Sequence, residues 1–199
     1  MKLCNGYKVK GAELIKESYS IEGDTIFVNL DASHYLDVMH DLCMQLPEPV
    51  FFILELPCDE LKEQELRKTN QDPFHKDVCY IDGLPRDTIN VFFEAFGDVL
   101  VNDGLSTFGF SSHELQVEVM KDKYNCLRIY TENKDQFVKV LEDAKIPLVE
   151  HIVLTSDILA QENPGICERY EDEHGRTVFD IRDFLKEKCD LYIDHVDEN

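Results

Sequence analysis

Positive charge is scarce in this chain. Its 20 Lys and Arg face 41 Asp and Glu, a formal net charge of −21 with a pI near 4.5. A nucleic-acid backbone is gripped through a basic face, which a chain so dominated by acids does not offer, so no nucleic-acid partner is expected. An anionic membrane surface would repel it as well. Long apolar runs are missing too: the longest, VFFIL at 50–54, is five residues, against ~18 or more for a membrane span. Residues 1–10 hold no apolar stretch of the kind that forms a secretory leader. A cytoplasmic protein away from membranes is the expectation.

Paired cysteine motifs are absent. Cys4, Cys43, Cys58, Cys79, Cys126, Cys167 and Cys189 form no C-x-x-C, and an odd, evenly spread set does not read as a disulfide framework. Most lie in apolar runs, where a free Cys behaves as a small hydrophobe. Free thiols in a reducing compartment follow.

Motifs that announce a reaction are also lacking. There is no G-x-x-x-x-G-K-[ST], no G-x-G-x-x-G, no G-x-S-x-G, no H-E-x-x-H and no EF-hand loop. His34, Asp37 and Asp41 share one face of an expected helix, which reads as an ordinary solvated face, so neither metal nor cofactor is expected. Ser111, Ser112 and His113 are contiguous, but a triad is defined in space, not by adjacency. Carboxylate runs such as Asp59-Glu60 and Glu171-Asp172-Glu173 read as acidic surface. No catalytic residue is assigned, and a non-enzymatic protein is favoured.

The remaining composition is that of a folded chain, 43% hydrophobic and 10% aromatic. No linker or repeat divides it, so one domain over 1–199 is expected. Strands are expected at 13–19, 25–30, 50–54, 78–81 and 99–101. The continuous apolar run at 50–54 suits a strand covered on both faces. A helix capped by Ser33 runs to about 46, and a short one covers 59–68. Another follows Pro85, with Ile89, Phe92, Phe93 and Phe96 on one face and Gly97 past its end. Residues 102–113 read as a Gly- and Ser-rich loop. Leu115, Val117 and Val119 alternate with Glu114, Gln116 and Glu118, then 121–123 turns into a strand at 124–131, making a hairpin with an acidic outer face. Asn133 caps the next helix; 148–154 reads as a strand and 156–162 as a short helix. Residues 167–170 pair with 177–179 around the 171–175 turn, Asp180 caps a last helix, and 194–199 is a polar, frayed tail. The fold class is α+β: one mixed, mostly antiparallel sheet packed by several helices.

The acidic excess is the strongest functional signal. A charge of −21 far exceeds the magnitude of about 2–8 that solubility asks of a small domain, and it carries self-repulsion. A cationic partner would relieve that repulsion and be captured faster by steering. General acidity of a cytosolic or salt-adapted proteome is the competing explanation.

The runs FFILELPCDE (51–60), FHKDVCYIDGLPRDTI (74–89), LVNDGLSTFGFSSH (100–113) and QENPGICERYE (161–171) resemble a group of small, acidic bacterial cytosolic proteins. In character these are similar to the immunity proteins of polymorphic toxin systems, which bind and block a cognate toxin domain. The resemblance implies a binding protein whose partner is basic, a toxin or nuclease domain whose active site it occludes. Candidate contacts are Asp103, Phe108, Phe110 and His113 in the 102–113 segment, with a Phe as central anchor. Glu114, Gln116 and Glu118 on the hairpin and Glu171, Asp172 and Glu173 complete the set. Two alternatives stand beside it: a small hydrolase or transferase with its site in 102–113 and His113 as base, and a nucleic-acid mimic that blocks a DNA-binding enzyme. The oligomeric state is left open.

Overall fold

The apolar runs become strands of one large sheet in the computed structural model, which describes residues 1–67, 69 and 71–197. In chain order the elements are β1 (Tyr7–Lys8), β2 (Ser18–Glu22), β3 (Thr25–Asn29), α1 (Tyr35–Cys43), β4 (Val50–Pro57), α2 (Glu60–Leu66), β5 (His75–Leu84) and α3 (Thr88–Asn102). Then come β6 (Thr107–Ser112), β7 (Val117–Lys121), β8 (Cys126–Tyr130), α4 (Asp135–Asp143), β9 (Ile166–Cys167), α5 (Val178–Lys188) and β10 (Tyr192–Asp197). Eight strands form a sheet in the order β10-β5-β4-β6-β7-β8-β3-β2, with every neighbouring pair antiparallel. β1 and β9 pair separately. The fold is α+β, a sheet packed by helices.

β4 lies between β5 and β6, an interior strand as expected, but helices cover only one of its two faces, and Phe51 and Ile53 stand on the other with Val78 and Met120. Phe52, Leu54 and Leu56 point to the helices and are fully buried or nearly so. There they meet Tyr35, Met39 and Leu42 of α1, Ile89, Phe92 and Phe93 of α3, Phe137 and Leu141 of α4, and Ile181 and Leu185 of α5 in one continuous core. Its centre is a cluster of rings: Phe92 lies 4.6 Å from Phe52 and 5.6 Å from Phe110, and Phe93 lies 6.3 Å from Phe108. Burying each such ring is worth about 1.5–3 kcal/mol.

Several expectations are corrected. Residues 99–101 continue α3 rather than forming a strand, because Val99, Leu100 and Val101 all face protein within the helix. Gly97 sits inside that helix, where a Cβ would come within 2.7 Å of Leu36 Cδ1, so close packing and not helix termination explains it. The 102–113 loop is largely β6, an interior strand between β4 and β7. Gly109 is essential to that pairing: the Val119 carbonyl and the Met120 sulfur occupy the space a Cβ would need. The tail expected to fray is edge strand β10, whose Tyr192 to Asp197 pair with β5; Glu198 and Asn199 lie outside the described residues.

Of the strand expected at 13–19 only 18–19 is strand, the start of β2, and 12–14 is a 3₁₀ turn. His34, not Ser33, precedes α1; the Ser33 hydroxyl donates to Asp31 instead, at 2.8 Å. Asn133 likewise donates its N–H to the Thr131 hydroxyl, and Lys134 precedes α4. α2 covers 60–66 of the expected 59–68, with Lys68 outside the described residues. The 148–154 segment joins a sheet only through a bridge from Leu148 to Tyr19. The helix expected at 156–162 is a 3₁₀ turn at Thr155–Ile158. β9 pairs with β1, not with 177–179. Thr177 is the cap of α5, exchanging hydrogen bonds with Asp180 in a capping box. The expected hairpin forms as β7 and β8, with Val119 opposite Ile129.

Candidate functional site

Cross-strand register sorts the sheet into a helix-covered face and a second face that carries exposed aromatics. On the second face, Phe51, Ser111, Glu118, Tyr130, Thr25 and Glu22 stand side by side across the strands. In the next row Ile53 lies opposite both Tyr80 and Gly109, and Tyr80 opposite Tyr192. Ile53, Val78 and Met120 form a small buried patch there, edged by Phe51 and Val196. Around it Tyr192, Tyr130 and Tyr80 are 63%, 42% and 36% exposed. Ion pairs join Lys76 to Glu55 at 2.6 Å, and Arg128 to Asp122 at 3.0 Å and Glu118 at 3.5 Å. Burial raises the Glu118 carboxyl above its ordinary value against the opposing pull of Arg128.

Part of the expected contact set gathers on this face. His113, Gln116 and Glu118 line a depression of about 340 Å³ together with Ser111, Ser112 and Tyr130. The His113 ring stacks on Phe51 with centroids 4.3 Å apart. Glu114 and Gln116 belong to the turn between β6 and β7 and not to a strand, so the acidic alternation reaches the sheet only at Glu118.

Other members are corrected. Phe108 and Phe110 are fully buried against α3 and cannot anchor a partner. The Gly-rich pattern that suggested a loop marks instead the close approach of β6 to β7. Asp103 is also fully buried. Its carboxylate accepts from the backbone N–H of Leu105, Ser106 and Tyr170, tying the turn after α3 to the segment at 170. Asp172 accepts from the N–H groups of His174 and Arg176 and from the Arg176 guanidinium at 2.7 Å, which holds its carboxyl below the ordinary value. Arg176 also reaches the Ala95 carbonyl of α3, so Glu171, Asp172 and Glu173 lie on the helix side, apart from the His113 group. In the segment that the hydrolase reading singled out, 107–112 is an interior strand rather than a loop; Ser111 and Ser112 are buried, Ser111 donates to the Val117 carbonyl, and both line the depression beside His113.

A further group was invisible in the sequence. Where β4, β5 and β10 end together, Cys58, Asp77 and His195 converge beside a cleft of about 960 Å³ lined by Cys58, Glu63, His75, Arg169, Phe179 and Arg182. Cys58 Sγ and His195 Nδ1 both lie 2.7 Å from Asp77 Oδ1, and 3.5 Å from each other. Arg182 holds the other Asp77 oxygen at 3.1 Å. Burial, then the hydrogen bond and charge of Asp77, push the Cys58 thiol up to about 12, the opposite of an activated nucleophile. The residues are 137 apart at the extremes, so no spacing rule could have joined them; reading 192–197 as a strand was the missing signal.

All seven Cys are free, and among the described residues no helix is long and apolar enough to cross a membrane. Comparison of the chain with protein-family models, with curated proteins and with solved structures found no match.

Proposed function

We propose that this chain is a non-enzymatic binding protein that engages a basic protein partner, in the manner of an immunity protein covering a toxin domain. The observation that carries the reading is a net charge of −21 on a protein whose sheet face presents Tyr80, Tyr130 and Tyr192 among Glu55, Glu118 and Asp194. Aromatic side chains supply the central contacts of interfaces, and surrounding charge sets the encounter rate. Tyr has the further merit of standing in water without penalty at its hydroxyl end. The anchor role expected of Phe108 and Phe110 passes to these three Tyr and to Phe51.

The test is partner capture from the native host by wild type and by the triple variant Tyr80→Ser/Tyr130→Ser/Tyr192→Ser, followed by kinetics on the captured protein. A basic partner retained by wild type and lost by the variant is expected. Its association rate should fall steeply as salt approaches 0.15 M, where exposed charges are screened beyond about 8 Å, while dissociation changes little. Equal retention by the variant, or an association rate indifferent to salt, would refute the proposal.

A further inference from the structure

The geometry points to a transition-metal site, of the zinc class, at Cys58, Asp77 and His195. One thiol, one carboxylate oxygen and one imidazole nitrogen meet at a point, and the sheet holds all three. His195 is the direct cross-strand partner of Asp77, and the Cys58 N–H donates to the His75 carbonyl, extending the β4–β5 ladder by one residue.

Two arrangements of Cys, His and Asp must be told apart. A nucleophilic triad is linear: the imidazole gives one ring nitrogen to the thiol and the other to the carboxylate. Here a single nitrogen, Nδ1, faces both the Asp77 oxygen and the Cys58 sulfur. A relay cannot run through one atom. A metal ion, by contrast, needs three donors aimed at a common centre.

The distances allow a size test. Zinc bonds of about 2.3 Å to sulfur and about 2.0–2.2 Å to nitrogen and oxygen, in tetrahedral geometry, put the donor atoms about 3.4–3.6 Å apart. The sulfur–nitrogen separation is already 3.5 Å. The two separations to Asp77 Oδ1 are 2.7 Å, so that oxygen alone must withdraw, by somewhat under ~1 Å. Asp77 is nearly fully buried, and Arg182 grips its second oxygen, the outer partner that orients a ligating carboxylate. Binding would displace the thiol proton to solvent and leave a thiolate on the metal. Three protein ligands leave a fourth position for water, beside a cleft that Cys58 and Arg182 themselves line.

The experiment titrates the reduced, full-length protein with zinc by calorimetry and with cobalt(II) by absorbance. One ion per chain is expected, with a thiolate-to-cobalt charge-transfer band. Cys58→Ser and His195→Ala should each weaken zinc binding at least about tenfold, the loss that even an outer partner's removal causes. His151→Ala, remote and exposed, should leave it unchanged. As a measurement on wild type alone, zinc should slow alkylation of Cys58 by iodoacetamide at least about tenfold, read by peptide mass. Absence of one-to-one binding, binding unaltered in both ligand variants, or unchanged alkylation of Cys58 would overturn the site.

Discussion

Lys121 is fully buried, and its replacement by Met gives a quantitative test of the packing. The ammonium donates to the Asp103 carbonyl at 2.6 Å and the Ser106 carbonyl at 3.2 Å and lies 5.1 Å from the centre of the Tyr7 ring. Burial lowers its pKa from 10.5 to about 8, against the opposing pull of Asp103, Cys4, Cys167 and Asp122. At ~1.4 kcal/mol per unit, carrying the charge in the fold costs about 3 kcal/mol. The folded value lies below the unfolded one, so between pH 8 and 10.5 the unfolded chain holds the extra proton and stability contributed by Lys121 rises with pH. At pH 7 Lys121→Met removes that burden but leaves two carbonyls without their donor, at about 1–3 kcal/mol each. The two proteins should therefore lie within about 2 kcal/mol of each other at pH 7. By pH 10 the wild type should have gained about 2–3 kcal/mol on the variant. Urea unfolding of both proteins, kept reduced, at each pH unit from 7 to 10 reads this difference. The buried thiols act in the other direction: Cys79 and Cys126, pushed up to about 12 by burial, lose stability for both proteins as pH rises above 9, and the subtraction removes them, whereas Cys4, also pushed up to about 12, feels the Lys121 charge and stays in the difference. A difference that stays flat from pH 7 to 10 would refute the account of Lys121.

Phe110→Ala should destabilise the protein by about 3–5 kcal/mol, since the ring is enclosed by Phe52, Phe92 and Phe93; a melting temperature close to wild type would mean the ring is not core. Gly109→Ala should cost about 1–3 kcal/mol through the forced shift of β7 at Val119 and Met120, and urea unfolding would show an unchanged midpoint if β6 and β7 were not in this register. Thr177→Ala should cost about 1 kcal/mol by removing half of the α5 capping box, measured by the same unfolding curves.

The sequence made the interior of this protein legible and its margins much less so. The five-residue apolar run marked β4 as an interior strand, and it lies between β5 and β6, though helices cover only the face of Phe52 and Leu54 and leave Phe51 and Ile53 on the other. Helical spacing of Ile89, Phe92 and Phe93 identified the face of α3 that packs on the sheet. β6 escaped detection because its composition belongs to two different constraints. Gly109 and Ser111 face a close neighbouring strand and must be small, while Phe108 and Phe110 face the core and are large. That small-large alternation is a strand pattern, but glycine and serine also signal loops, and the local reading took the second meaning. β10 was hidden for another reason. Asp194, His195 and Asp197 are polar because this is an edge strand, and edge strands carry charge to discourage further pairing. Missing β10 also concealed the convergence of Cys58, Asp77 and His195, which exists only once β4, β5 and β10 lie side by side.

Exchanging buried Phe for exposed Tyr as the anchor changes what the acidity has to do. A Phe anchor on a loop would have to stand in water until the partner arrived, a liability on any surface. Tyr80, Tyr130 and Tyr192 sit on strands whose backbones are already paired, so docking onto them orders no loop and adds little conformational cost. A rigid face gains nothing from adjusting to its partner, and recognition then rests on shape at the aromatics and on the field around them. The field is uneven in kind: Lys76 and Arg128 each sit beside carboxylates of the same face, Glu55 for the first and Glu118 and Asp122 for the second. These pairs mute the charge at the centre of the sheet and leave the excess to the surroundings. That is the arrangement steering requires, since long-range attraction depends on the total charge while the desolvated centre is best left without unpaired ions.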